Sequence, residues 1–320
     1  MRFEPPIILA LLFAGVQPAA QDSPDLKSVQ RPLSALHSPA TFHLGGKPDW
    51  LAISDNDVWV SNGPLKAVQR VNADLNQFAT TIHLNKEPCS GLVFAFGTLW
   101  VPVCGDTPSL VRISPLQNKI TVTLTFGPAD DEGGITASDD SVWLVSDANG
   151  TLVRIDPTTN NARQRISIPP GSFNPLYADG FVWVTGYKSG VVTPVDARNG
   201  EVLPSIPVGP QPRFLTAGAG SIWILNQGDG TVTRIDIRTH NVTAKIAANI
   251  PGHGGEICFG AGSVWATLID TPLTEISPAT NTVVHQWTGP GGDSVRFGHG
   301  SLWLTHLKGG LLWRIAAPPL

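Results

Sequence analysis

Polar and ionisable groups able to do chemistry recur at one place in this chain. Asp49, Ser90, Glu132, Asn174, Arg213, Glu256 and Asp293 lie nine to twelve residues ahead of successive tryptophans, with Cys89, Asp131 and His253 beside them. Only 14% of the residues are charged, so this is a marked concentration. Glu132, Glu256 and Asp293 are hard oxygen donors that suit Ca²⁺ or Mg²⁺. Gathered in a narrow space, they repel unless a cation joins them or some hold a proton. His253 offers a base, and Arg213 a planar fork for a carboxylate. Asp49, Ser90 and Asn174 are further ligand-binding candidates.

Several uses of such a set stay open. The groups are solvated at a channel rim, or they line a mouth that binds a small ligand or a protein partner. In an enzyme, a cation on Glu132, Glu256 and Asp293 would polarise a substrate carbonyl or its developing enolate. His253 would then move the proton and Arg213 orient the substrate, as a metal-dependent lyase or lactone hydrolase requires.

The elements that position these groups are legible in the tryptophans. Trp59, Trp100, Trp143, Trp183, Trp223, Trp265 and Trp303 are spaced by 41, 43, 40, 40, 42 and 38 residues. Each sits in a β-rich run such as VWVSN or VWVTG. A second marker follows 11 to 13 residues later, in phrases such as RISP and RIDP, and a third run such as KITVTLTF comes after it. An apolar strand generally precedes each Trp. Asp156-Pro-Thr-Thr-Asn160 and Gly218-Ala-Gly220-Ser have turn chemistry between strands. Four short strands per repeat of about 40 residues describe a propeller blade. The chain is therefore expected to be an all-β, seven-bladed β-propeller of four-stranded blades over residues 40–320. The last repeat runs out after three strands, and the N-terminal ATFHLGGKP is expected to complete that blade as its outer strand.

The loops leading into the innermost strands surround the channel mouth, which places the seven polar positions around one axis. The leading expectation is a propeller that binds a ligand or partner there; the metal enzyme is the alternative.

The remaining signals set boundaries. Ile7–Val16 is an apolar run too short to span a bilayer and suited to an export signal over residues 1–20, with a polar leader over 21–39. That implies a periplasmic or secreted protein without a stable membrane span after cleavage. A net charge of −4 and no basic run give no reason to expect nucleic acid. In an oxidising compartment Cys89 and Cys104, at the ends of neighbouring strands, are expected to form a disulfide; the alternative is two nearby thiols. Cys258, within EICFG, reads as a buried small hydrophobe.

The phrases GAGSVW, GTLVRIDPTTN and GDGTVTRID resemble the repeats of virginiamycin B lyase (streptogramin lyase) and YVTN-type propellers, over roughly residues 41–320. The resemblance implies a seven-bladed propeller. For the lyases it implies Mg²⁺, histidines and a Glu-x-His pair, which occurs nowhere in this chain, so no catalytic residue is carried over. Lactonase propellers of six blades hold a channel metal with Glu, Asn and Asp; Glu132, Asn174 and Asp293 match those residue types.

Overall fold

The computed structural model describes residues 26–317. The export-signal segment 1–20 lies outside them. Seven sheets stand around one axis, six of four antiparallel strands and one in which a fifth, parallel strand joins the four. Their innermost strands are Pro48–Ile53, Val93–Ala95, Ile135–Ala137, Ser172–Ala178, Pro212–Gly218, Ile257–Gly260 and Val295–Gly298, for blades 1 to 7. Each of these touches the next, and Val295–Gly298 touches Pro48–Ile53, so the ring is closed. No helix of the described residues is long and apolar enough to cross a membrane.

The closing strand is the expected one. Ala40–His43 pairs antiparallel with Leu311–Ala316, Phe42 opposite Leu312, as the outer strand of blade 7. Residues ahead of it also pack on the ring. Gln30–Pro32 runs parallel to Thr282–Thr288 as a fifth strand of blade 6. Leu33 and Leu36 then pack on the apolar cluster of blades 6 and 7 around Trp265, Trp287 and Ile315.

The seven repeat tryptophans are fully buried. Each indole N–H donates to an oxygen five residues back, Trp59 to Ser54 Oγ at 3.0 Å and Trp265 to the Gly260 carbonyl at 2.9 Å, for example. This satisfies the one polar atom of a large apolar side chain. In five blades an arginine on the third strand covers the ring: Arg70, Arg112, Arg154, Arg234 and Arg314. The same guanidinium reaches the neighbouring blade. Arg112 Nη1 donates to the Pro157 carbonyl at 2.7 Å and to Asn160 Oδ1 at 2.5 Å.

Two junctions lack this latch. Pro194 faces Trp183 in blade 4, and His240 from blade 5 packs edge-on against Trp183 at 4.8 Å instead. Glu275 faces Trp265 in blade 6. Blade 7 draws its outer strand from the N-terminus and so has no turn to receive an arginine. The Gln30–Leu36 segment bridges that junction. An apolar hollow of about 440 Å³ beside it, lined by Leu33, Leu36 and Trp313, belongs to this strap and lies away from the carboxylates.

Candidate functional site

Strands begin at the channel mouth, so the residues at their leading ends converge there. Threonines two residues beyond the tryptophan fix three of these ends. Thr185 Oγ1 accepts from the Asn174 N–H at 3.1 Å and donates to the Arg213 carbonyl at 3.0 Å. Thr267 accepts from the Glu256 N–H at 2.6 Å and donates to the Asp293 carbonyl. Thr305 accepts from the Ser294 N–H at 2.9 Å. Each hydroxyl ties the second strand of a blade to its mouth, and the first two also tie the mouth residue of the next blade. Gly255 must be glycine: its φ is +76°, and a Cβ would strike the Thr267 carbonyl.

The predicted ionisable residues fall into three groups. Asp49 and Asp293 come together as a carboxyl pair. Burial, with the Asp293, Glu132 and Glu256 charges, raises Asp49 well above the usual carboxylate range. Burial also raises Asp293, against the Gly255 N–H that donates to its Oδ1 at 3.1 Å. The two carboxyls interact directly, and such a buried dyad takes up and releases its protons as a pair.

Glu256 belongs to a different arrangement. Arg296, on the innermost strand of blade 7, grips it with two hydrogen bonds, Nη1 to Oε2 at 2.6 Å and Nη2 to Oε1 at 2.7 Å. The Val295 N–H adds a third at 3.2 Å. Both carboxylate oxygens are engaged, in the bidentate geometry that arginine favours. Among the described residues no three His, Cys, Asp or Glu side chains are arranged to hold a metal ion. Glu132, Glu256 and Asp293 thus share the channel without forming one ligand set.

Glu132 and Arg213 form the third group. Glu132 Oε2 lies 3.8 Å from Arg213 Nη2, an ion pair too long for a hydrogen bond. Burial pushes Glu132 up to about 6, with Arg213 opposing and Asp293 and Asp131 adding to the rise. Its backbone is left-handed, φ +61°, which costs a non-glycine residue about 1–2 kcal/mol. The Arg213 guanidinium rests among three rings: Phe173 at 4.7 Å, Tyr187 at 5.5 Å and Phe214 at 5.6 Å. Its Nε is buried without a hydrogen-bond partner. His253 Nδ1 stands 3.5 Å from the Tyr187 hydroxyl, at the rim of the same cluster.

Ser90 and Asn174 face inward to hold backbone. Ser90 Oγ donates to the Asp130 carbonyl at 3.4 Å, and Asn174 Nδ2 to the Arg213 carbonyl at 3.0 Å. Cys89 and Cys104 are joined as a disulfide with Cα atoms 5.8 Å apart. Cys258 is buried, which pushes its thiol up to about 12. The channel holds a cavity of about 220 Å³ lined by Trp50, Asn174, Phe214, Glu256 and Arg296, among others. Outside the mouth a groove of about 450 Å³ runs past Tyr187, Lys188, Pro210 and Gln211.

Sequence reasoning missed Arg296, Phe173, Tyr187 and the threonine ties. Arg296 had a signal. It lies opposite Trp303, and the same register position holds Ala52, Val93, Thr136, Leu176, Thr216 and Cys258 in the other blades. A lone charge among small and apolar residues marks it.

No protein-family model matches the chain, and no curated protein matches it in sequence. Solved structures match it in shape. Virginiamycin B lyase from Staphylococcus aureus aligns with a TM-score of 0.72 over 87% of this chain and 98% of that one, at 14% identity. A catalytically inactive form of that enzyme, with quinupristin, gives 0.73 over 88% and 99%, at 15% identity. This chain has the fold of that lyase. BamB from Moraxella catarrhalis matches with 0.64 over 88% and 98%, at 10% identity. Identities this low establish a common architecture, and the mouth must be read from its own residues.

Proposed function

We propose that the protein is an exported propeller that binds a small ligand at the channel mouth and seats an anionic group of that ligand on Arg213. One observation carries this reading. A largely buried guanidinium lies on three aromatic faces, its Nε lacks a partner, and its carboxylate neighbour stays beyond hydrogen-bond length. An arginine held in that state has donor capacity left for a carboxylate or phosphate. The rings supply a flat apolar wall for the rest of the ligand, and the groove past Tyr187 gives room for an extended one. A protein partner at this face would have to present an acidic side chain to Arg213. The lyase in fold likeness whose structure includes quinupristin is a precedent for small-molecule binding by this architecture. A lyase or lactone hydrolase built on Glu132, Glu256 and Asp293 would first have to open the Glu256–Arg296 pair.

The test uses benzoate, benzamide and benzylamine as probes of one size and three charges. The Arg213 Nε–H signal in ¹⁵N NMR should shift saturably with benzoate alone, at about millimolar affinity. Arg213→Gln should bind benzoate at least about tenfold more weakly. The absence of a saturable benzoate shift would sink the proposal. Elemental analysis of the same sample addresses the enzyme alternative. Near-stoichiometric Ca or Mg, lost in a folded double variant Glu132→Ala, Glu256→Ala, would favour it.

A further inference from the structure

We infer that the Cys89–Cys104 disulfide positions Glu132 at the mouth, so that reducing it loosens the Arg213 site while the ring stays folded. The inference rests on the reading of the mouth as a ligand site, but the placement of Glu132 is tested without a ligand.

Three hydrogen bonds join the cystine segment of blade 2 to the mouth loop of blade 3. The Glu132 N–H donates to the Cys89 carbonyl at 2.7 Å. The Gly91 N–H donates to the Gly133 carbonyl at 3.0 Å. Ser90 Oγ donates to the Asp130 carbonyl at 3.4 Å. Glu132 is therefore held in its left-handed conformation by the backbone of a disulfide cysteine. The other end of the bridge is anchored as well, with the Cys104 N–H on the Glu87 carbonyl at 3.0 Å.

Comparison with the other blades shows what the bridge replaces. In blades 4, 6 and 7 the residue two beyond the tryptophan is Thr185, Thr267 or Thr305, and its hydroxyl ties the second strand to the mouth. In blade 2 that position is Pro102, which has neither a hydroxyl nor an N–H. Cys104, two residues further along, makes the tie covalently. Thr185 fixes the Arg213 backbone of the next blade; the cystine fixes the Glu132 backbone of the next blade. Both halves of the Glu132–Arg213 pair are thus set from the preceding blade, one by a hydroxyl and one by a disulfide.

Cys89 and Cys104 are partly exposed and Gly105–Pro108 is exposed, which leaves the bridge open to a dithiol. The dithiol's thiolate attacks one sulfur, and the mixed disulfide is resolved by its second thiol. The S–S bond breaks, Cys89 and Cys104 each end as a thiol, and the reagent leaves as its own disulfide.

The experiment compares the oxidised full chain with the same protein reduced by dithiothreitol. Carboxyl ¹³C NMR follows Glu132, and amide exchange follows its N–H. In the oxidised protein Glu132 should titrate near 6. On reduction the midpoint should fall toward its ordinary 4.5 and the Glu132 amide should exchange at least about tenfold faster. The near-UV signal of the buried tryptophans should be unchanged. A midpoint and exchange rate that do not move on reduction would overturn the inference, and so would loss of the tryptophan signal. A second arm uses Cys89→Ser, Cys104→Ser with and without Pro102→Thr. Restoring the hydroxyl should return the Glu132 midpoint toward 6, a rescue that general stabilisation would not produce; no recovery would count against the positioning role. Benzoate titration of the same samples separates the two ideas. If Glu132 moves but benzoate never binds, the positioning stands and the ligand reading falls.

Discussion

Two arginine–glutamate pairs share this channel, and they differ in nearly every physical respect. Arg296 and Glu256 meet through two bonds under 3 Å, with the carboxylate almost wholly buried and a backbone N–H completing its shell. Arg213 and Glu132 stand 3.8 Å apart, with the carboxylate partly exposed and the guanidinium on aromatic rings. In the first pair each charge is spent on the other, so it serves as wall. In the second, neither charge is fully satisfied by the protein, and that is the property a ligand exploits. The residue types are identical; distance and solvent access assign their roles.

The sharpest way to break this comparison is at the closed pair. Arg296→Met leaves a buried carboxylate without its counter-charge and should cost about 3–5 kcal/mol in urea unfolding. Adding Glu256→Gln should recover most of that loss. A loss below about 1 kcal/mol for Arg296→Met would show that the two pairs are alike. At the open pair, Arg213→Met should cost under about 1 kcal/mol, because the ion pair is long and reaches solvent. The same variant should abolish the benzoate response.

The smallest effect is the pH dependence. Glu132 holds its proton more tightly folded than unfolded, so its contribution to stability is present below 4.5 and is lost as pH rises through about 6. The melting temperature should therefore decline over that interval, and Glu132→Gln should make the decline shallower. Asp49 and Asp293, also raised, act in the same direction.

The fold was legible because one tryptophan per repeat must fill the same interblade space, which forces a spacing. The mouth positions were legible from the same ruler. Contacts between blades were not. Glu132 comes from blade 3 and Arg213 from blade 5, and only the curvature of the ring brings them together. Phe173 and Tyr187 face each other across the open end of one hairpin, at no position that the repeat marks. Glu256 looked free as a metal donor because its partner lies in the next blade. Lining the repeats up on tryptophan would have exposed Arg296 as an isolated charge.

The seam of blade 7 also has a consequence in time. Its outer strand, Ala40–His43, is made before the other six blades, and its partner, Leu311–Ala316, is made after them. Six blades can assemble from neighbouring sequence while that early strand waits unpaired. Ring closure is therefore a late event of high contact order, and a nascent chain that stalls before Leu311 leaves a sticky edge at each end of an open arc.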